Sequence, residues 1–395
     1  MRFFRLIAAV SVILTILVSP GAGSGKAGFE FLRIGLGARP LGMGEAFVGV
    51  ADDIDSITWN PAGLVQINEA QQTFMHTLWL DGISIDYIAY AERLGPRSAL
   101  GAGIEYLTSG DIDRRNKYGN LVGTYYAYDL MGAVSYAHKI GKNISLGTTL
   151  KYVSEKIEME SATGIAVDFG GLYKFSKMQI GLSVQNLGQE VRFRTSPFPM
   201  PLVLKAGISY KPISTLVLAV DVDSPIIEPI SYRVGCEYQA FRVKNTRLFL
   251  RGGFKTNVIS YLDSLAGLSL GTGLRCNEWQ VDYALVPYGQ FGETHRISLT
   301  RKFGGTTKNR NSFANTDNPV VDTIIPVDIH ELPDARKAEE IYRDSLRWYK
   351  EKVIEYNLTR EEEISLIKKL IAKFEPMGVD VGAFKKVLKA FENAK

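Results

Sequence analysis

Ser231 to Gln239 reads SYRVGCEYQ, and it alternates without a break. Tyr232, Val234, Cys236 and Tyr238 share one face, while Arg233, Gly235, Glu237 and Gln239 share the other. A period of two marks a β-strand, because successive side chains of a pleated backbone point to opposite sides. The pattern recurs in Gly164 to Phe175, where Ile165, Val167, Phe169, Tyr173 and Phe175 oppose Asp168 and Lys174. In Ile144 to Tyr152, Ile144, Leu146, Leu150 and Tyr152 oppose Ser145, Gly147 and Lys151. In Leu216 to Asp223, Leu216, Leu218, Val220 and Val222 oppose Asp221 and Asp223.

Two architectures produce this alternation. A soluble sandwich buries the apolar face, whereas a membrane barrel turns it to lipid and lines its interior with polar groups. Strand length favours the barrel: many segments reach the 9–11 residues that a tilted spanning strand needs, against about 5–6 in soluble sheets. Segments near 71–80, 82–92, 98–107, 127–140, 143–155, 162–175, 178–185, 201–211, 214–223, 230–240, 246–254, 265–274, 279–287 and 293–303 fit the pattern. That makes about fourteen strands, an even number as bacterial barrels have.

Loop lengths carry the same message. Arg93 to Arg97, Gly141-Lys142, Ser176-Lys177, Pro212-Ile213 and Arg275 to Glu278 are short, whereas Thr108 to Tyr126, Asn186 to Met200 and Lys255 to Ser264 are long. Short periplasmic turns and long outer loops are the habit of outer-membrane barrels. The turn near Asp81 is a short outer exception, and Arg301 is a charge on the otherwise apolar face of the last strand.

Bulk properties agree. The chain has 395 residues, 19 Tyr, 19 Phe and 38 Gly, which suits a β-rich protein with many turns. A net charge of only +4 gives no basic face for nucleic acid. Cys236 and Cys276 are too few for a disulfide framework and fall in different strands or turns, and the four histidines have no zinc-ligand spacing. No metal or other cofactor is expected. PGAGSGKAG, Pro20 to Gly28, mimics a phosphate-binding loop but has Pro20 and Ala27 at its first and last required places.

The expected organisation has five parts. Residues 1–24 read as a signal peptide, with Arg2 and Arg5 ahead of an apolar run and small residues after it. Residues 25–69 are Gly-rich and irregular and read as a plug or hatch, followed by the barrel over 70–304. Residues 305–335 read as a linker rich in Gly, Asn, Thr, Asp and Pro. Residues 336–395 change period: Tyr342, Leu346, Tyr349, Val353 and Tyr356 form a helical stripe, which predicts a small α-helical periplasmic appendage.

The irregular segment contains ADDIDSITWNPAGL, Ala51 to Leu64. Pro61 drives Asn60 toward an extended backbone, Asn60 can bond its own chain two residues on, and Gly63 permits a close approach that a Cβ would block. This reads as a rigid corner. Asp52, Asp53 and Asp55 lack the further oxygen ligands that a calcium loop needs.

The stretch LGARPLGMGEAFVGVADDIDSITWNPAGL, Leu36 to Leu64, resembles the N-terminal motif of the PorV/PorQ family, relatives of the FadL-like transporters. Gly42, Met43, Gly44, Ala46, Ala51, Asp52, Asp53 and the run Trp59, Asn60, Pro61, Ala62, Gly63, Leu64 carry the resemblance. SVQNLG at Ser183 to Gly188 and RISLTRKFG at Arg296 to Gly304 extend it.

The resemblance implies a 14-stranded all-β transmembrane barrel in the outer membrane of a diderm bacterium, surrounded by outer-membrane lipids. It also implies a role in type IX secretion, with exported proteins bound through their C-terminal sorting domains, or alternatively transport of hydrophobic, fatty-acid-like molecules. The motif is shared by both groups. An enzyme is not expected, since no nucleophile–base signature and no G-x-S-x-G is present.

Overall fold

A computed structural model describes residues 27–193, 196–256 and 266–304, with isolated positions 367, 368, 371, 375, 385 and 389. The chain divides into two units, Met1–Gly305 and Thr306–Lys395. The expected signal peptide and linker lie outside the described residues. So does the expected appendage, apart from the isolated positions, of which Ile367, Lys368, Ile371, Lys385 and Lys389 are α-helical.

The strands, in chain order, are β1 (Ala70–Leu78), β2 (Ser84–Arg93), β3 (Ser98–Arg115), β4 (Leu121–Ile140), β5 (Ile144–Ile157), β6 (Glu160–Phe175) and β7 (Met178–Gly188). A short pair follows, β8 (Val191–Phe193) and β9 (Ser196–Phe198). Then come β10 (Val203–Ile213), β11 (Leu216–Pro225), β12 (Ser231–Val243), β13 (Thr246–Lys255), β14 (Leu268–Cys276), β15 (Trp279–Pro287) and β16 (Glu293–Phe303). All but β8 and β9 form one closed barrel in which each strand pairs with its sequence neighbour and β1 pairs with β16. Closure is antiparallel, from Ala70 opposite Phe303 to Leu78 opposite His295. The fourteen barrel strands are the fourteen that alternation predicts. Among the described residues no helix is long and apolar enough to cross a membrane.

Alternation sorts the side chains as a barrel requires. Phe74, Ile88, Ile104, Val134, Leu150, Ile165, Val220 and Val234 are exposed on the outside, while Thr73, Ser135, Thr149, Lys151, Asp168, Asp221 and Glu237 are buried inside. A continuous apolar outer belt, around an interior where such polar groups lie beside an apolar cluster of Ile54, Ile57, Leu64, Met75, Ile85 and Met131, matches a lipid-facing wall. Arg301 sits at the edge of that belt. It pairs with Glu278 at 3.2 Å and lies 5.6 Å and 5.1 Å from the ring centres of Trp279 and Phe303. Long basic side chains at such an edge bury their stems and keep their charge in water.

The expected outer loop from Thr108 to Tyr126 is mostly strand. The β3–β4 ladder continues to Arg115 opposite Leu121, interrupted by a bulge between Thr108 and Asp111 where Gly110 takes φ +65. Its tip is closed by Asn116, whose Oδ1 accepts the backbone N–H groups of Tyr118 at 2.9 Å and Asn120 at 3.1 Å. Likewise the stretch after β7 holds the β8–β9 hairpin. Cys236 and Cys276 are both free and exposed.

Leu150→Arg, at the middle of the outer belt, should lower barrel stability by about 2–4 kcal/mol. Denaturant titration in lipid vesicles measures it, and an unchanged midpoint would mean that this face does not meet lipid.

Candidate functional site

Residues 27–67 contain only short ordered pieces: the 3-10 turn Glu30–Arg33, the helix Ala38–Gly42, the helix Ser56–Trp59 and the 3-10 turn Pro61–Gln66. Pieces this short leave part of their backbone unpaired, and inward side chains of the barrel take up several of those groups. Val48 N–H donates to Asp221 Oδ2 at 2.7 Å, and Gly44 N–H donates to Ser269 Oγ at 2.8 Å. Gln179 Nε2 donates to the carbonyls of Gly49 and Val50, both at 3.0 Å. Gln185 Nε2 donates to those of Thr58 and Trp59, both at 2.8 Å.

Close backbone approach is the second fastening. Gly44, at φ +64, lies against Gly253, and a Cβ on either would collide with the other strand or segment backbone. Gly42 lies against Gly271, where a Cβ would come within 3.0 Å of its Cα. Pro61 and Ala62 rest on Gly147 and Gly170, which leave room that any side chain would fill.

The corner has the geometry that its turn chemistry predicts. Asn60 is extended (φ −157, ψ 100), and its Oδ1 accepts the Ala62 N–H at 3.3 Å. Its Nδ2 donates to Val48 O at 3.0 Å and to Gly171 O on the barrel at 3.2 Å. Gly63 stands directly on the Ala51 carbonyl, so it is the close approach rather than an unusual φ that demands glycine. Trp59 Nε1 donates to Leu36 O at 2.8 Å, and its ring meets Phe47 edge-on.

The three aspartates do not act together. Asp52 and Asp53 each accept from Arg39 Nη1 at 2.6 Å, and Asp52 also accepts from Lys211 at 3.0 Å. The same guanidinium reaches the barrel, where Arg39 Nε and Nη2 donate to the two oxygens of Glu237 at 2.7 and 2.8 Å. Glu237 passes the network to Arg251 at 2.7 Å, and Arg251 passes it to Asp282 at 2.8 Å. A second network holds Glu45 between Lys255 at 2.5 Å and Arg233 at 3.3 Å, with Arg233 also on Asp223 at 2.7 Å. Asp55 stands apart, its carboxyl pressed on Gly37.

Charge follows this placement. Burial alone would lower the Arg39 guanidinium, but Asp52, Glu237 and Asp53 hold it well above its ordinary value. Burial alone would raise the Glu45 carboxyl, yet Lys255 and Arg233 hold it at about 2. Asp52 is lowered by Arg39 and Lys211 against the same opposing burial. Asp55 is raised well above the carboxylate range, first by burial and then by Asp53 and Asp282. Arg39, Glu45 and their barrel partners were not singled out from sequence. A lone arginine in the otherwise apolar run from Leu36 to Leu41 was the available clue.

Between this segment and strands β3, β4, β5, β7 and β10 lies a narrow cleft of about 30 Å³. Leu32, Leu36, Trp59, Glu105, Lys151 and Lys205 are among its walls.

Residues 25–193 match the family model for the type IX secretion system protein PorV. This part of the chain is PorV-like. The match spans the segment with its corner motif and barrel strands β1 to β7. A UPF0164 protein of Treponema pallidum (strain Nichols) is 21% identical over 331 residues, covering 75% of this chain and 76% of that protein. The Ralstonia pickettii toluene transporter TbuX superposes with a TM-score of 0.50 at 15% identity, covering 68% of this chain and 98% of that one. A FadL homologue of Pseudomonas aeruginosa, at 12% identity, gives 0.45 over 66% and 97%. At such identity the TbuX likeness is one of fold alone. The PorV-like segment and the closed barrel together support an outer-membrane barrel.

Arg39→Met should cost about 3–5 kcal/mol, because it removes the cation shared by the buried Asp53 and Glu237 and the half-buried Asp52. Denaturant titration measures it, and a loss below that of an ordinary surface substitution would contradict the network. The two other buried acids should respond to pH with opposite sign. Glu45, with its folded value depressed, contributes stability that is full above the ordinary 4.5 and is lost as pH falls toward 2. Glu45→Gln protein should therefore be less stable at neutral pH and lose less on acidification. Asp55, with its folded value raised, opposes folding as pH rises, so Asp55→Asn should match or exceed the parent stability at neutral pH. Unfolding midpoints of both variants against pH check the pair.

Proposed function

We propose that this protein is an outer-membrane barrel of the type IX secretion type, which binds exported proteins at its outer face while residues 25–69 plug its lumen. The observation that carries this reading is the contrast between the lumen and the outer hairpins. The lumen holds a segment tied by the Arg39 and Glu45 networks, and its inward wall carries Lys151, Asp168, Asp221, Glu237 and Arg251, all buried. These charged side chains interrupt the apolar part of the lumen wall. The outer hairpins, in contrast, expose apolar side chains beyond the membrane belt: Tyr118 is 75% and Met159 87% exposed. Tyr125, Ile157, Met159, Phe193 and Phe198 border a hollow of about 620 Å³ between the β3–β4, β5–β6 and β8–β9 hairpins. Exposed apolar patches of this kind mark protein-binding surfaces.

In this reading the corner residues Gly42, Gly44, Trp59, Asn60, Pro61 and Gly63, with Asp52 and Asp53, are structural. They hold the plug and take no part in chemistry. The even strand count returns the chain to the periplasmic side after Phe303, which would put residues 336–395 in the periplasm as a helical appendage. The alternative reading is a channel for hydrophobic small molecules. It draws on the fold shared with a toluene transporter, and it would require the plug to move.

Photo-crosslinking from position 118 in native cells, followed by mass spectrometry, tests the reading. Exported proteins sharing a C-terminal β-domain are expected. Absence of protein adducts, together with uptake of apolar compounds by vesicles containing the protein, would replace it with the channel. Orientation has its own test in a Cys236→Ser background. A maleimide too bulky to cross the outer membrane should label Cys276 only after the membrane is opened, and labelling of intact cells would reverse the assignment.

A further inference from the structure

The β3–β4 hairpin extends beyond its neighbours. β2 pairs with β3 only as far as Ser84 opposite Thr108, and β5 pairs with β4 only from Ile157 opposite Ala127. The ladder between β3 and β4 runs on to Arg115 opposite Leu121, with a bulge at Val122. Asp111 to Arg115 and Leu121 to Tyr125 therefore form a two-stranded ribbon with an open edge on each side. Such an edge presents unpaired N–H and C=O groups, a template for a further strand.

The two edges are built differently. β3 carries Asp111, Asp113, Arg114 and Arg115, and charges of this kind guard an edge against pairing. β4 has no charge from Leu121 to Tyr128, and its Val, Thr and Tyr residues favour strands. Leu121, Val122 and Tyr126 are exposed. Beside this edge β5 ends at Ile157 and β6 begins at Glu160, and the hollow of about 620 Å³ lies at that turn. Among the described residues that line the hollow, none belongs to β3.

Backbone direction singles out one residue of the edge. Tyr126 O accepts the Glu158 N–H at 3.3 Å, so Tyr126 turns its polar groups to the β5 side. Direction alternates along a strand, so Thr124 turns its N–H and C=O to the same side, where β5 has ended. Asp113, opposite Thr124, turns its own to the outer side of β3. Arg114, opposite Gly123, pairs with Glu158 beside the hollow. Both side chains are close to half exposed, and such a pair costs little to displace.

We propose that an uncharged, extended segment of an exported protein adds to the free edge of β4, continuing the sheet in the place that β5 leaves. Its backbone pairs with Thr124, and alternate side chains enter the hollow against Tyr125, Ile157 and Phe198. Main-chain pairing supplies affinity, and the hollow selects the side chains. Tyr125 and Ile157 are at inward-facing positions, so what fills the hollow stands over the barrel mouth. A second barrel in the same membrane cannot stand there, whereas an exported protein can. This inference rests on the cargo-binding reading of the outer hairpins and gives it a binding mode.

Photo-crosslinking from position 118 in native cells tests the edge as well as the cargo. Thr124→Pro removes one N–H from the free edge of β4 without touching the β3–β4 ladder, and Asp113→Pro does the same to the guarded edge. Thr124→Pro should lower the yield of exported-protein adducts about tenfold or more, and Asp113→Pro should leave it unchanged. An undiminished yield in Thr124→Pro cells, or equal losses in both variants, overturns the edge while cargo binding stands. Absence of protein adducts without either substitution removes the cargo reading and this inference with it. Adducts with a second copy of the chain would overturn the choice of partner. If the Thr124→Pro barrel does not fold, as judged by its heat-shifted gel mobility, Thr124→Lys takes its place, setting on β4 a charge of the kind that guards β3. That variant should lose yield several-fold, and an unchanged yield is again decisive against the edge.

Discussion

The guanidinium of Arg39 joins what the chain would otherwise leave separate. It binds Asp52 and Asp53 within the N-terminal segment and Glu237 on the barrel wall, and through Glu237 it is linked to Arg251 and Asp282. A planar fork of donors suits this task, since it reaches several carboxylates at once in fixed directions. Buried ion pairs seldom add stability over apolar packing, because desolvation offsets much of the attraction. Apolar packing is present too, where Ile54, Ile57 and Leu64 of the segment cluster with Met75, Ile85, Tyr87 and Met131 of the wall, but it is non-directional. The network therefore fixes where the segment sits more than how tightly it sits.

The same logic explains the glycines. A segment without long helices exposes its backbone, and that backbone must come within hydrogen-bonding reach of inward Ser, Gln and Asp side chains. Gly253 under Gly44, and Gly147 and Gly170 under Pro61 and Ala62, remove the side chains that would hold it off. Distance is set by what is missing from the wall, and polarity by what remains.

How much of this was legible follows from where the physics is local. The strands were readable because lipid on one side and polar lumen on the other impose a period of two on each. The reading stopped at Thr108 because the β3–β4 hairpin leaves the membrane there. Beyond it Asp111, Asp113, Arg114 and Arg115 put charge on both faces, with Ile112 the one apolar residue among them, and alternation vanishes although the ladder continues. The corner at Asn60-Pro61-Ala62-Gly63 was legible because its bonds span two or three residues. Arg39 was not, since its barrel partner lies 198 residues away and the segment around it has no period to flag it. Asp55 looked like Asp52 and Asp53 in the sequence. Only the fold separates the two that meet a guanidinium from the one pressed against Gly37.

Charge inside the barrel is unevenly matched, and the mismatch follows the sheet order. Strands β10, β12 and β13 supply Lys205, Arg233, Arg251 and Lys255, and the segment and neighbouring wall positions answer them with Glu45, Glu237, Asp223 and Asp282. Strands β3 to β5 present Glu105, Asp129 and Glu155, and there the segment turns Leu32, Ile34 and Leu36 toward the cleft. The segment cannot neutralise both sides with one set of charges, because Arg39 and Arg33 are already held by Asp52, Asp53, Glu237, Glu30 and Glu228.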